Sequence, residues 1–235
     1  MPRKTKNIPR RKKPVKKTRA RRTIARTLKP KTYQFTRSFV DQIKLRNGLN
    51  VPTGWTQIPD DHGIVQSRGF KLSDLPNWEE FKNLFSQYRI MAVSQEYYFA
   101  DTGSINTDTS LGQKQIMLYA NPNSVGADNA ANLTEGYYLQ SQTTKKRLCL
   151  HSSGRPVKLY MKVNQLTGVF SDETGNTDYA RCRPKFVSTS EPNTEHYGLD
   201  LRLARIDGSD FSTGGDVYPS CKIITKVYLQ CRQVS

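Results

Sequence analysis

The sequence predicts an all-β domain, an antiparallel two-sheet sandwich with long loops and one short helix, behind a disordered basic N-terminal arm. Three observations carry this. After residue 31, apolar residues recur with a period of two, the spacing of strands that bury one face. Long polar stretches rich in Gly, Asn, Asp, Ser and Thr separate these runs at 102–112, 121–136 and 168–181. Such loops decorate a rigid scaffold and face outward. Residues 1–31 hold 15 Lys and Arg and no Asp or Glu, which is no recipe for a core. The eight or nine strands favour a jelly roll over an immunoglobulin-like sandwich. No internal repeat points to a solenoid or propeller.

The arm comes first. Its cations are Arg3, Lys4, Lys6, Arg10, Arg11, Lys12, Lys13, Lys16, Lys17, Arg19, Arg21, Arg22, Arg26, Lys29 and Lys31. Ile8, Val15, Ile24 and Leu28 are too few to offset the entropy of ordering. Pro2, Pro9, Pro14 and Pro30 oppose a continuous helix. The whole chain is net +17, but 32–235 hold 22 basic and 20 acidic residues, net +2. The basic pI is thus a property of the arm, and it predicts a nucleic-acid partner reached through counterion release. Arg10 to Lys17, RRKKPVKK, also reads as a nuclear import signal, which implies a host import receptor. No apolar segment follows the basic start, so neither a secretory signal nor membrane insertion is expected.

The elements of 32–235 follow in order. In 33–45, Tyr33, Phe35, Phe39, Ile43 and Leu45 share a face. Less regular strands are expected at 69–72, 88–99, 115–120, 146–151 and 185–189. The single helix starts at Asn77, with Glu80 at capping-box spacing and Trp78, Phe81, Leu84 and Phe85 on one side. In 157–163, Val157, Leu159, Met161 and Val163 alternate with Lys158, Tyr160 and Lys162. In 197–203, Tyr197, Leu199, Leu201 and Leu203 alternate with Gly198, Asp200 and Arg202. In 223–231, Ile223, Val227, Leu229 and Cys231 share a face with Thr225. Each of these four regular strands is expected to keep one wet side.

No catalytic constellation emerges. His62, His151 and His196 lack metal-spaced partners, and the nucleophile elbow, P-loop, dinucleotide fingerprint and His-x-His pair are all missing. The chain therefore reads as a non-enzyme without cofactor or metal. Asp60-Asp61 and the pair Asp207 and Asp210 offer oxygens to a divalent cation, but Asp beside Gly is more often turn chemistry. Cys149, Cys182, Cys221 and Cys231 form no CxxC pair and read as reduced fillers. Asn132-Leu133-Thr134 is a glycosylation sequon, expected to be idle without a secretion signal.

Three stretches carry a family resemblance. FSQYRIMAVSQEYYF at 85–99 resembles the Tyr-Arg-Ile strand of circovirus-like capsid proteins, from small viruses with circular single-stranded DNA genomes that encode a replication initiator. Phe70-Lys71-Leu72-Ser73-Asp74-Leu75 is similar to the segment leading into that strand. IITKVYLQCR at 223–232 is similar to the family's closing strand, which ends in Gln and Arg. One departure is Ala100-Asp101 after Phe99, where the family often carries a proline. The resemblance implies an eight-stranded jelly roll and a T=1 icosahedral homo-oligomer of about sixty copies around single-stranded DNA. It also implies a virion protein that visits the host nucleus. Two readings compete: the coat of a small or satellite RNA virus, and a ribosomal or RNA-binding protein with a basic tail. The near-neutral domain weighs against the latter.

Overall fold

The structure, a computed structural model, describes residues 31–46, 51–58, 62–100, 116–123, 132–149, 155–170, 177–211 and 220–232. The strands are β1 (Thr32–Lys44), β2 (Thr56–Gln57), β3 (Ile64–Phe70), β4 (Gln87–Ala100), β5 (Ile116–Pro122), β6 (Lys145–Cys149), β7 (Val157–Lys162), β8 (Gln165–Phe170), β9 (Thr177–Cys182), β10 (Val187–Ser188), β11 (His196–Arg205) and β12 (Ser220–Arg232). A 3-10 turn (Leu72–Asp74) and two helices, α1 (Trp78–Leu84) and α2 (Glu135–Gln140), complete the described elements.

One sheet runs β1-β12-β4, with β7 and β10 also pairing β4; the other runs β2-β3-β11-β5-β6. The long strands pair in nested fashion, all antiparallel: β1 with β12, β3 with β11, β4 with β7, β5 with β6. A chain folded back on itself and then rolled gives this order, which is that of a jelly roll. Short β8 and β9 form a separate hairpin.

The period-two runs dictate which faces meet. On β12 the odd positions from Cys221 to Cys231 are buried, while the even positions are partly or fully exposed. β7 does the same with Leu159 and Met161 inside. These side chains join Leu118, Leu199, Leu201 and Leu203 of the facing sheet in one apolar core. Burial of this area drives the collapse of the sandwich. At Gly198, where β11 steps in register against β3, a Cβ would collide with the Phe70 ring; only glycine fits that approach.

Several expectations need correction. The single helix becomes two. Asn77 does precede α1, but in a left-handed conformation (φ 57°) without a side-chain cap. Phe81 is 2% exposed and Trp78 and Phe85 pack against the core, whereas Leu84 is 63% exposed. Leu84 is the last residue of α1 and stays in solvent, while Phe81 in the preceding turn is buried. The stretch 168–181, expected as a loop, contains parts of β8 and β9. The third regular strand has no wet side, because every residue of β11 except Tyr197 is buried. A second apolar cluster of Ile58, Val65, Tyr119, Leu133 and Tyr138 covers the back of its sheet. The sequon threonine has a structural use: Thr134 Oγ1 accepts from Tyr137 N at 3.4 Å and caps α2.

Candidate nucleic-acid interface

Of the arm cations, Arg3, Lys4, Lys6, Arg10, Arg11, Lys12, Lys13, Lys16, Lys17, Arg19, Arg21, Arg22, Arg26 and Lys29 lie outside the described residues, and Lys31 is exposed at the start of β1. Its neighbour Thr32 pairs with Arg232 of β12, and Arg232 pairs with Gln87 of β4. The arm therefore joins the domain beside the end of β12.

A guanidinium cluster stands at this root. Arg89 donates from Nε and Nη2 to Gln230 Oε1, at 3.0 and 2.6 Å, and from Nη1 to Pro184 O at 3.3 Å. The Phe186 ring lies 4.3 Å from the Arg89 guanidinium carbon and 3.6 Å from that of Arg232, within cation–π range. No carboxylate pairs with either arginine among the described residues, and Arg232 Nε has no hydrogen-bond partner there. Burial, and then the Arg232 charge, lower the Arg89 pKa from its ordinary value.

From the root, a basic face extends across the sheet. Alternation and register put Arg89, Glu96 and Tyr98 of β4 on the same side as Lys222, Lys226, Tyr228 and Arg232 of β12. Lys158, Tyr160 and Lys162 of β7 join them, as does Lys44 of β1. Seven cations thus share this face with a single carboxylate, Glu96, among the described strand residues. Lys158 Nζ and Lys226 Nζ approach Glu96 Oε1 at 3.1 and 3.8 Å, and Tyr98 OH donates to Oε2 at 2.9 Å. The Tyr98 hydrogen bond, with that of Lys158, holds the Glu96 carboxyl below its ordinary pKa. Tyr160 and Tyr228 meet edge to face, 6.2 Å between centroids. Each strand of this face read locally as an ordinary wet side. The available signal was the Lys-x-x-x-Lys spacing, present in both 158–162 and 222–226.

The opposite sheet is chemically different. Asp200, 1% exposed, accepts from Ser67 Oγ at 2.8 Å and from Tyr137 OH at 3.5 Å. Burial raises its pKa. Asn121 Nδ2 donates to Tyr137 OH at 3.0 Å, tying α2 to the sheet. Arg202, 4% exposed, lies over the Tyr119 ring and 3.8 Å from Glu135. These polar residues are structural ties beneath α2.

Other candidate sites resolve into structure. Asp207 Oδ1 accepts from Ser209 N and Oγ at 3.1 and 2.7 Å, closing a turn at Gly208. Asp210 pairs with His62 at 3.0 Å. Asp60, Asp61 and His151 lie outside the described residues. His196 is fully buried: its Nε2 receives Ile90 N–H at 3.3 Å and Gln165 Nε2 at 2.9 Å, so Nδ1–H donates to Thr194 O at 3.2 Å. The cysteines are unbridged, and burial pushes the Cys149 thiol up to about 12 and Cys231 to about 11. No helix among the described residues is long and apolar enough to cross a membrane.

Comparison with known proteins gives one family. The sequence matches the Circovirus capsid protein family over residues 7–235. The chain resembles the 60-mer BFDV capsid protein with a TM-score of 0.55 at 14% identity, covering 87% of this chain and 95% of that one. Against the decameric BFDV capsid protein the TM-score is 0.49 at 15% identity, over 86% of this chain and 100% of that one. Against a Macrobrachium rosenbergii nodavirus particle it is 0.44 at 8% identity, over 88% and 96%. No curated protein matches by sequence.

Proposed function

Because the chain belongs to the circovirus capsid protein family, we propose that it assembles into a T=1 icosahedral shell that packages a single-stranded DNA genome through its basic arm. The capsid role is structural. The carrying observation is the placement of charge: 15 cations and no acid in 1–31, in a capsid-family chain. Each cation near a phosphate displaces a condensed counterion, giving strong and sequence-independent attraction. In a shell of about sixty copies the arms would bring on the order of 900 charges to the genome. The chain's likeness to a protein crystallised as a 60-mer supports that assembly size. The stretch RRKKPVKK in 10–17 serves in addition as the nuclear import signal, since both roles need exposed cations.

Expression followed by size-exclusion chromatography and negative-stain microscopy tests the shell. Regular particles are expected, and a monomer at all concentrations would overturn it. Contents sensitive to DNase but not RNase are expected; the reverse would move the protein to the RNA-coat reading.

A further inference from the structure

We propose that the outward face of the β1-β12-β4-β7 sheet is a second nucleic-acid surface, folded into the domain and continuous with the arm. It rests on the packaging reading above and places part of that function on the folded domain. The first argument is charge asymmetry. Lys44, Arg89, Lys158, Lys162, Lys222, Lys226 and Arg232 stand against Glu96 on this face. Away from this face the described residues of 32–235 mix the two signs, 14 basic and 11 acidic, whereas the face itself stands at seven to one. Charge of one sign is therefore concentrated on this face, which carries the arm root.

Protection of a sheet edge does not account for Lys222 and Lys226. Lysines that guard against sheet extension sit on edge strands, as Lys44 of β1 and Lys158 and Lys162 of β7 do, but Lys222 and Lys226 stand on β12, which is flanked by β1 and β4. Nor are the charges consumed internally. Glu96 is shared by Lys158 and Lys226, so one carboxylate faces two ammonium groups. Lys44, Lys162 and Lys222 make no ion pair with the described residues. Tyr98, Tyr160 and Tyr228 lie among the cations, and Tyr160 is 54% exposed. Cations interleaved with aromatic rings suit single-stranded nucleic acid, whose backbone follows the charge while its bases stack.

The face also has a direction. Arg232 and Arg89, gathered around Phe186, mark the end at the arm. Lys222 lies ten residues earlier on β12, roughly 33 Å away along an extended strand. A single strand captured by the arm can run from the guanidinium cluster across Tyr228, Lys226 and Lys222 without leaving positive potential.

The test uses the full-length chain. One variant carries Lys158→Gln, Lys162→Gln, Lys222→Gln and Lys226→Gln; a second removes four arm charges at Arg19, Arg21, Arg22 and Arg26. Binding of oligo-dT is measured across a salt series. Each phosphate contact contributes a slope of about 0.7 for single strands, so both variants should lose about 2–3 from the slope. Loss only in the arm variant would overturn the face while leaving packaging by the arm intact. A wild-type slope near zero would remove the packaging reading itself. A face variant with wild-type slope that fails to form particles would make the face a contact between copies, and so overturn the proposal. Two readouts do not need the quadruple variant to fold. Glu96→Gln should bind more tightly than wild type, and equal or weaker binding counts against the face. Photocrosslinking of wild-type protein to iodouridine-substituted DNA should label Tyr160 or Tyr228 as well as the arm; labelling confined to the arm would overturn the proposal.

Discussion

Arg89 and Gln230, 141 residues apart in sequence, face each other across β4 and β12 and share a forked hydrogen bond of 3.0 and 2.6 Å. They belong to two of the stretches that carry the family resemblance, the Tyr-Arg-Ile strand and the closing strand. Tyr88 and Ile90 on either side are fully buried, so the motif alternates two core residues with one outward arginine. Its closing-strand partner is the Gln that precedes Arg232 by two.

Arg89→Ala is expected to lower stability by about 1–3 kcal/mol, from the lost charged hydrogen bonds and the contact with Phe186. Arg89→Lys should recover little of this, because an ammonium cannot donate as a fork. Denaturant midpoints for Arg89→Ala, Gln230→Ala and the double variant give the coupling. A coupling energy indistinguishable from zero would mean that the pair is not an energetic contact.

Phe81→Ala should cost about 3–5 kcal/mol, since the ring is buried between α1 and β1 and stands 5.5 Å from the Phe35 centroid. Leu84→Ala, three residues on, should change stability by less than about 0.5 kcal/mol. Equal effects in thermal melts would contradict the assigned helix face.

Acid should weaken the fold through His196. Burial lowers its pKa from 6.5 to about 4, so the folded state holds it neutral while the unfolded chain protonates. Stability is undiminished above pH 6.5, falls as pH drops from 6.5 to about 4, and is lower by about 3 kcal/mol at the acid end. Urea unfolding at pH 7.5 and 4.5 measures the loss. His196→Gln, which keeps an acceptor for Ile90 N–H, should lose distinctly less on acidification, and an identical loss would exclude His196 as the cause.

Removing residues 2–31 should leave the domain folded, because the apolar core is built from Leu45 onward with β1 side chains packed against it. DNA affinity should drop sharply yet keep a salt-sensitive remainder from the sheet face. Replacing Arg10, Arg11, Lys12 and Lys13 by Ala in a fusion of 1–31 to a large fluorescent protein should abolish nuclear entry. The same change removes 4 of 15 arm charges, so packaging should fall only in proportion. Nuclear entry of both fusions would place the signal further along the arm.

Strands that divide core from water were legible in the sequence. β1, β7 and β12 fall within a few residues of the alternating runs, because a period of two with one polar side has few other physical meanings. β11 shows the limit. Asp200 and Arg202 are as polar as any surface residue, but Ser67 and Tyr137 hydrogen-bond the first, and the Tyr119 ring and Glu135 of α2 flank the second away from water. Alternation cannot tell solvent from a polar network. α2 was invisible because a six-residue helix is too short to show a helical period. The cationic run in 1–31 is read from local composition alone, and residues 1–30 lie outside the described residues. The basic face was not legible in that way, because four strands contribute one to three cations each and only the sheet register adds them together.

The pairing of β1 with β12 along thirteen residues also fixes when this protein can fold. At roughly 5–20 residues per second of synthesis, β12 is made about 10–40 s after β1. For that interval the nascent chain presents a finished cationic arm tethered to a sheet that lacks its central strand. Contacts so distant in sequence also make closure slow. On the proposed packaging function, the arm would then meet polyanions before the domain can assemble. A ribosome-stalled chain ending before Ser220 should bind nucleic acid but not mature into particles. On that function, completion of β12 would be the timing step that converts a polyelectrolyte into a building block.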